Sequence, residues 1–578
     1  MSPWKVALFR TDPVANSPFL DETLLFAPTP ATEEALAVVF AFPNTYSVGI
    51  TSLGYQVVWA TLAQRADVAV SRLFMDHQEP LPAQPDGVGF SLSWELDYGN
   101  VLTHLENLHV PIHAEDRGDE HPLVFGGGPV LTANPEPFAA FFDVILLGDG
   151  ETLLDDFFDQ WVALKNASRA EKLRHLAPMP GVYVPTLYRP VYDDPTGPMV
   201  TMEPIDDSIP AQVQKQTYRG NVLSTSTVVT PLAAWENIFM VEVVRSCPEM
   251  CRFCLASYLT LPFRTASLES SLIPAIERGL AVTDRLGLLG ASVTQHPEFD
   301  TLLDYLNQPQ FDHVRLSMAS VRTNTVNPKL AETLTRHGTR SVTIAVESGS
   351  ERVRHIVNKK LTTEDIEAAA INAKAGGLSA LKLYGMAGIP GEEMADLEQT
   401  VAMMRRLKKA APGLRLTLGC STFVPKAHTP FQWYGINREA EKRLKFLQKQ
   451  LGKIGADFRP ESYNWSVIQA LISRGDRRLT PLLEQVRHYG DSLGSYKRAF
   501  KDMKGQLPTL DYYVHDTWPT DQPLPWDHLQ GPLPKATLVK HLAEAQSYMA
   551  VPQPVARQKL EPTNQSTLSK KLEGTLSN

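Results

Sequence analysis

The sequence predicts an α/β chain of several domains, and three observations carry that prediction. Length is the first: 578 residues are several times the ~100–200 residues of an ordinary domain, so two to four domains are expected. The second is pattern. Short apolar runs that end in glycine or a polar turn alternate with amphipathic helical stretches, twice along the chain. Such alternation implies parallel sheets with binding loops at the strand C-terminal ends. Composition is the third: 43% hydrophobic and 21% charged residues are ordinary for a globular protein and exclude disorder for most of the length.

Residues 1–180 read as a Rossmann-like parallel-sheet domain. Its expected strands are Ala37 to Phe42, Gly87 to Leu92, Leu123 to Phe125 and Asp143 to Leu147. Helical stretches run from Leu53 to Ala63 and from Asn100 to Leu108. Residues 181–232, rich in Pro and Asp, read as a linker or small β-rich adaptor. Residues 233–430 hold six strand candidates: Met240 to Val244, Leu288 to Val293, His313 to Ser317, Ser341 to Ala345, Ala380 to Tyr384 and Leu414 to Leu418. Helices between them, such as Pro328 to His337 and Thr362 to Ala375, predict a partial (βα)6 TIM-type barrel. Residues 431–550 are helical, with Arg438 to Ile454 and Ser466 to Gly490 the clearest stretches. Residues 551–578 form a polar tail expected to be disordered.

Acidic residues outnumber basic ones, 64 to 55, for a formal charge of −9. That balance points away from nucleic acid and anionic membrane as main partners. The N-terminus shows no apolar signal region, and the most apolar run, Phe138 to Gly148, is far short of the ~20 residues that span a bilayer. A cytoplasmic location follows as the expectation. Four cysteines exclude a disulfide scaffold, yet Cys247, Cys251 and Cys254 fall within eight positions. A loop so spaced can wrap three thiolates round one corner of a 4Fe–4S cube, leaving one iron open to a small ligand. A structural zinc would need a fourth ligand in a second pair, and none follows at a matching spacing. The distant Cys420, on an apolar strand end, reads as a buried structural residue.

The CxxxCxxC motif with an aromatic before its last cysteine, at the end of a first barrel strand, resembles the radical S-adenosylmethionine superfamily. The runs TIAVESGSERVRHIVNK (Thr343 to Lys359) and KLYGMAGIPGEE (Lys382 to Glu393) resemble fourth- and fifth-strand motifs of its cobalamin-type and methylthiotransferase-type members. The resemblance implies that Cys247, Cys251 and Cys254 hold a 4Fe–4S cluster whose open iron binds S-adenosylmethionine. Glu347, at a strand end, would accept hydrogen bonds from the ribose or amino group, although SGSER after it also suits a helix N-cap. Gly388 and Gly391 would let backbone approach adenine or ribose, and Ser320 and Arg322 are further cofactor contacts. The usual second-strand GGE is replaced by LLGAS (Leu288 to Ser292), which leaves the amino-group contact unassigned.

The N-terminal domain is similar to cobalamin-binding domains through PNTYSVGITSLG, GFSLSWE, FGGGP and LGDGE. Ser91, Gly126, Gly127 and Gly148 are the cobalamin contacts this implies. The DxHxxG motif that supplies a histidine to cobalt is missing, so the lower face of a bound corrinoid is expected to lack a histidine. His428, Arg474 and Asp476 read as salt-bridged surface. The resulting expectation is a radical enzyme that uses a 4Fe–4S cluster, S-adenosylmethionine and cobalamin to methylate a small-molecule or peptide substrate, with a reductant such as flavodoxin or ferredoxin. The alternatives are a non-methylating oxidoreductase or cyclase without cobalamin and a non-catalytic iron–sulfur protein. Sulfur insertion into tRNA is disfavoured because no cysteine precedes Cys247 to hold a second cluster.

Overall fold

The computed structural model describes residues 17–319 and 321–550, so Ser320 and the polar tail lie outside the described residues. Six strands build the N-terminal sheet: β1 (Leu36–Ala41), β2 (Val68–Leu73), β3 (Gly87–Ser91), β4 (Leu123–Gly127), β5 (Val144–Leu146) and β6 (Val182–Tyr183). Their order is β2-β1-β3-β4-β5-β6, and every neighbouring pair is parallel except β5 with β6. β1 is a near-continuous apolar run because helices cover both faces of such a sheet. β6 lies beyond residue 180, so the N-terminal unit extends past the expected boundary. A hairpin of Tyr188–Tyr192 with Met199–Pro204 follows, within the stretch expected to be a linker or small adaptor.

Seven parallel strands form the second unit: β7 (Ile238–Glu242), β8 (Arg285–Leu289), β9 (Arg315–Met318), β10 (Ser341–Glu347), β11 (Ala380–Ala387), β12 (Arg415–Thr422) and β13 (Asp457–Pro460). β7, β8 and β9 pair in order, as do β10 to β13, and a parallel bridge between Val321 and Ile344 joins the two sets into one arc. The partial barrel therefore gains a seventh strand from the region expected to be helical. Leu286, Leu316, Leu383 and Leu418 turn outward into the core beneath the covering helices.

The helical stretch expected from Ser466 to Gly490 is two helices, Tyr463–Arg474 and Thr480–His488. They break at Gly475, where a Cβ would stand 2.1 Å from a Leu479 methyl. The helix Lys535–Met549 returns to the barrel, where Glu544 pairs with Arg252 at 3.1 Å. Nearby, Leu529–Gln530 pairs with Val213–Gln214 of the adaptor. The C-terminal region thus closes over the cysteine loop. No helix among the described residues is long and apolar enough to cross a membrane.

Candidate functional site

The three clustered cysteines lie on the loop that leaves β7. Val244–Arg245 pairs antiparallel with Arg264–Thr265, which pins both ends of the loop. Ser246 and Met250 take left-handed backbone, φ +70° and +54°, to fold it back. The Cys254 backbone N–H donates to the Cys251 carbonyl at 2.9 Å, ahead of a short helix from Leu255. A second segment clamps the loop: Asn358 Nδ2 donates to the carbonyl of Met250 at 2.8 Å, and Arg252 Nη1 to that of His355 at 2.8 Å.

Burial pushes the Cys251 thiol up to about 12, and the charges of Cys254 and Cys247 add to the rise. Cys254 is also raised, first by burial and then by Cys247. Cys251 is buried and Cys247 and Cys254 are half-buried; thiols ligate as thiolates, so a cationic group bound here would displace their protons. Yet among the described residues no three His, Cys, Asp or Glu side chains converge on a point for one metal ion. Three cysteines on one loop are the donor set that the sequence assigns to a 4Fe–4S cluster with one open iron. Cys420, as expected, is buried in the barrel core.

Glu347 ends β10 at φ +61°, a strained conformation for a non-glycine residue, beside a register shift against β11. The helix that follows is capped instead by Ser350, which accepts from the Val353 backbone N–H, so the N-cap reading of Glu347 does not hold. Its carboxylate pairs with Lys359 Nζ at 2.9 Å, and both side chains are nearly buried. Cys251 and Cys254 lie within electrostatic reach of Lys359 and join Glu347 in raising its pKa against the cost of burial. Sequence reasoning passed over Lys359 although it closes the quoted motif; its signal was its fixed distance from Glu347 across one helix.

Arg322 does not face an open site: it binds Glu249 of the cysteine loop at 3.0 Å. Gly388 and Gly391 have positive φ, but a Cβ on either would meet Ala440 at 2.7 Å or Met549 at 2.6 Å. Their spare space is filled by the chain's own C-terminal helices, which corrects the expected approach to adenine or ribose. His428, Arg474 and Asp476 are buried, not surface. Arg474 stacks on Trp518 at 3.7 Å, and Asp476 pairs with Arg478 at 2.7 Å.

At the C-terminal edge of the N-terminal sheet lies a cavity of about 620 Å³. Ser91, Gly127 and Gly148 line it, together with Gly54, Ser224 and Arg245. A Cβ on Gly54 would meet nothing within 4 Å, and one on Gly127 nothing nearer than 3.5 Å. Bare backbone is therefore presented to the cavity. Gly126 is the exception among the expected contacts. The pleat turns it to the opposite face, where a Cβ would strike Phe142 at 2.5 Å. Gly148 (φ +112°) also serves the fold, since its Cβ would meet the Gln216 carbonyl at 2.0 Å. No histidine, cysteine or methionine lines the cavity among the described residues.

The cavity and the cysteine loop are neighbours. Arg245, two residues before Cys247, reaches Glu151 at 2.6 Å and Asp149 at 3.4 Å, both from the N-terminal unit. Arg264, on the paired strand, binds Asp149 at 2.5 Å. Ion pairs this enclosed hold the two units in one register.

Residues 54–185 match the family model described as radical SAM proteins, N-terminal, and residues 241–404 match that of the radical SAM superfamily; together they span about half of the chain. An uncharacterized protein of Methanocaldococcus jannaschii is 27% identical over 463 residues, which are 80% of this chain and 94% of that one. An uncharacterized methyltransferase of Pyrococcus horikoshii is 33% identical over 89 residues, 15% of this chain and 19% of that protein. Among solved structures, the radical S-adenosylmethionine methyltransferase TsrM from Kitasatospora setae, with cobalamin and a 4Fe–4S cluster bound, overlays with a TM-score of 0.47. That overlay has 14% identity and covers 69% of this chain and 77% of TsrM.

Proposed function

The chain belongs to the radical SAM superfamily, and from that premise we propose that it is a cobalamin-dependent radical methyltransferase. In this reading Cys247, Cys251 and Cys254 hold the 4Fe–4S cluster. When bound, the cluster supplies the electron that cleaves S-adenosylmethionine to methionine and a 5′-deoxyadenosyl radical, which abstracts hydrogen from substrate. The chain's own residues hold the cysteine loop in place, exclude water and set the charge beside it. The Lys359 cation lies within electrostatic reach of Cys251 and Cys254 and Glu347 balances it, so the pair offers complementary charges to the carboxylate and amino groups of S-adenosylmethionine. Bound cobalamin would supply a methyl group for a substrate radical.

The observation that carries the methyltransferase reading is the position of the cavity. Its wall includes Arg245, two residues before Cys247, so a ligand there would lie beside the strand that leads into the cysteine loop. The residues present fit a corrinoid held by shape: backbone at Gly54 and Gly127 forms the cradle, and no histidine, cysteine or methionine among the described lining offers a bond to cobalt. The reductant in this reading is a flavodoxin or ferredoxin and the location cytoplasmic.

The test is anaerobic reconstitution with iron, sulfide and cobalamin, then dithionite and S-adenosylmethionine. 5′-Deoxyadenosine and S-adenosylhomocysteine are read by mass spectrometry, with Cys251→Ala as control. Cluster-dependent 5′-deoxyadenosine together with cobalamin-dependent S-adenosylhomocysteine is expected. Cleavage that is indifferent to cobalamin, in protein that retains no cobalt, would overturn the methyltransferase reading and leave a corrinoid-free radical enzyme.

A further inference from the structure

The inner wall of the barrel arc carries a charge pattern that neither the cluster nor the N-terminal cavity explains. Strand alternation separates the two faces: Leu286, Leu316, Leu381 and Leu416 turn outward and are buried. Arg285, Arg315, Lys382 and Arg415 therefore turn inward. Such an interior is ordinarily filled by layers of bulky aliphatic side chains. Here Arg315, Lys382 and Arg415 are exposed on it and Arg285 is half-buried. Register sets Arg285 directly beside Arg315. None of the four has an acidic partner among the described residues, although most other buried or half-buried arginines of the chain are paired. Four cations without an acidic partner share this concave wall, on a chain of formal charge −9, and the carboxylate that register sets on the same face, Asp457, is engaged by Thr417 and Arg459. The four oppose one another unless an anion sits among them.

We propose that the barrel interior binds a phosphate-bearing substrate, seated on Arg285, Arg315, Lys382 and Arg415. Paired guanidinium groups match phosphate oxygens in a way that scattered lysines do not. Tyr384 stands two residues above Lys382 on the same face, 54% exposed and lying over Gly419. It offers an aromatic surface to the uncharged part of the same molecule. Arg285 and Lys382 lie four and five strand steps below the C-terminal ends of their strands, ~13–16 Å at 3.3 Å per residue, and Arg415 lies seven steps below its own, two residues deeper than Lys382 by register. The substrate is thus long enough to hold its phosphate at the floor and its reacting carbon at the rim. This assignment deepens the radical reading and rests on it for the identity of the site.

The test uses the reconstituted full chain with pyrophosphate as probe, measured by titration calorimetry, while the response of the cluster EPR signal to S-adenosylmethionine is recorded on the same samples. Binding is expected to weaken at least tenfold in Arg315→Gln and in Lys382→Gln. Lys409→Gln, on the exposed face of helix Met394–Ala410, should leave it unchanged. Absence of pyrophosphate binding in protein whose cluster responds to S-adenosylmethionine would overturn the proposal, as would equal binding by the two inner-wall variants and the parent. Citrate binding as tight as pyrophosphate would overturn the phosphate assignment in favour of a polycarboxylate. Pyrophosphate binding lost in both variants, with a cluster silent to S-adenosylmethionine, would sustain the anion site and remove the radical reading instead.

Discussion

Two glycine-rich strand ends look alike in the sequence and do opposite work in the fold. In the N-terminal sheet, Gly127 ends a strand with open space beyond it, and the cavity wall there is backbone. In the barrel, Gly388 and Gly391 also follow a strand, but helices from the C-terminal region fill the space they leave. The barrel instead places its chemistry in side chains: three thiols on one loop and the Glu347–Lys359 pair beside them. The acidic side chains of the N-terminal sheet edge serve mostly to dock it, through Asp149 and Glu151 to Arg245 and Arg264. A glycine in a sequence states that something comes close. Only the fold states whether it is the chain or a ligand.

The sharpest way to break the comparison is at the cysteine loop. Cys251→Ala should abolish the cluster's visible absorbance and EPR signal and all 5′-deoxyadenosine formation, while cobalt retained per chain stays at the parent level. Cobalt lost along with the cluster would mean that the two regions are not separable. Next in size is the glycine pair at the end of β4. Gly127→Val should remove most bound cobalamin and leave the melting temperature within a few degrees, because the side chain enters open space. Gly126→Ala should do the reverse: its Cβ meets Phe142 and Leu131, an overpacking that typically costs ~1–3 kcal/mol, while cobalamin stays bound. Equal effects of the two substitutions on cobalt content would defeat the assignment of the cavity.

Why one of these regions could be read directly and the other could not follows from the same contrast. Cys247, Cys251 and Cys254 declare themselves because ligation by side chains needs particular residues at fixed spacing. Gly126 and Gly127 could not be told apart, because the strand was expected to stop at Phe125 and actually includes both. Without the true end of the strand, the alternation that turns one glycine inward and the other outward has no origin. The strand Val68–Leu73 was missed for a related reason. Its sequence carries Ser71 and Arg72, and Arg72 is tolerated because Glu22 and Glu79 both pair with it at 2.8 Å. Asp457–Pro460 is a polar edge strand, which no apolar pattern reveals. The docking of Arg245 on Asp149 and Glu151 joins residues about 100 positions apart, beyond any local signal.

Lys359 gives a smaller test. Lys359→Met keeps the bulk of the stem and removes the charge opposite Glu347. The cluster should still assemble on its three cysteines, but S-adenosylmethionine should bind about tenfold more weakly, a difference of ~1.4 kcal/mol. The change in the EPR signal on adding it should need correspondingly higher concentrations. Glu347→Gln should weaken binding in the same direction. Parent-like affinity in both variants would confine the pair to a structural part.

The filled glycine loop of the barrel gives the last test, which reads out as a pH dependence. The backbone N–H of Gly388 donates to Glu392 at 2.7 Å, and Arg443 Nη1 to the same carboxylate at 2.8 Å. Burial dominates over these partners and raises the Glu392 carboxyl from 4.5 to about 7. The folded chain then holds a proton on Glu392 that the unfolded chain has already released, so the free energy of unfolding falls as pH rises through that interval. The interval runs from 4.5 to about 7. Across it the contribution is on the order of 1–3 kcal/mol, from ~1.4 kcal/mol per pKa unit with allowance for relaxation of the site. Glu392→Gln cannot ionise and should flatten this part of the profile, with urea unfolding at pH 5 and pH 7.5 as the measurement. An unchanged slope would mean that Arg443 keeps the carboxylate ionised throughout. The loop would then be held by an ion pair, as the N-terminal docking contacts are, and the contrast between the two strand ends would narrow to the glycines alone.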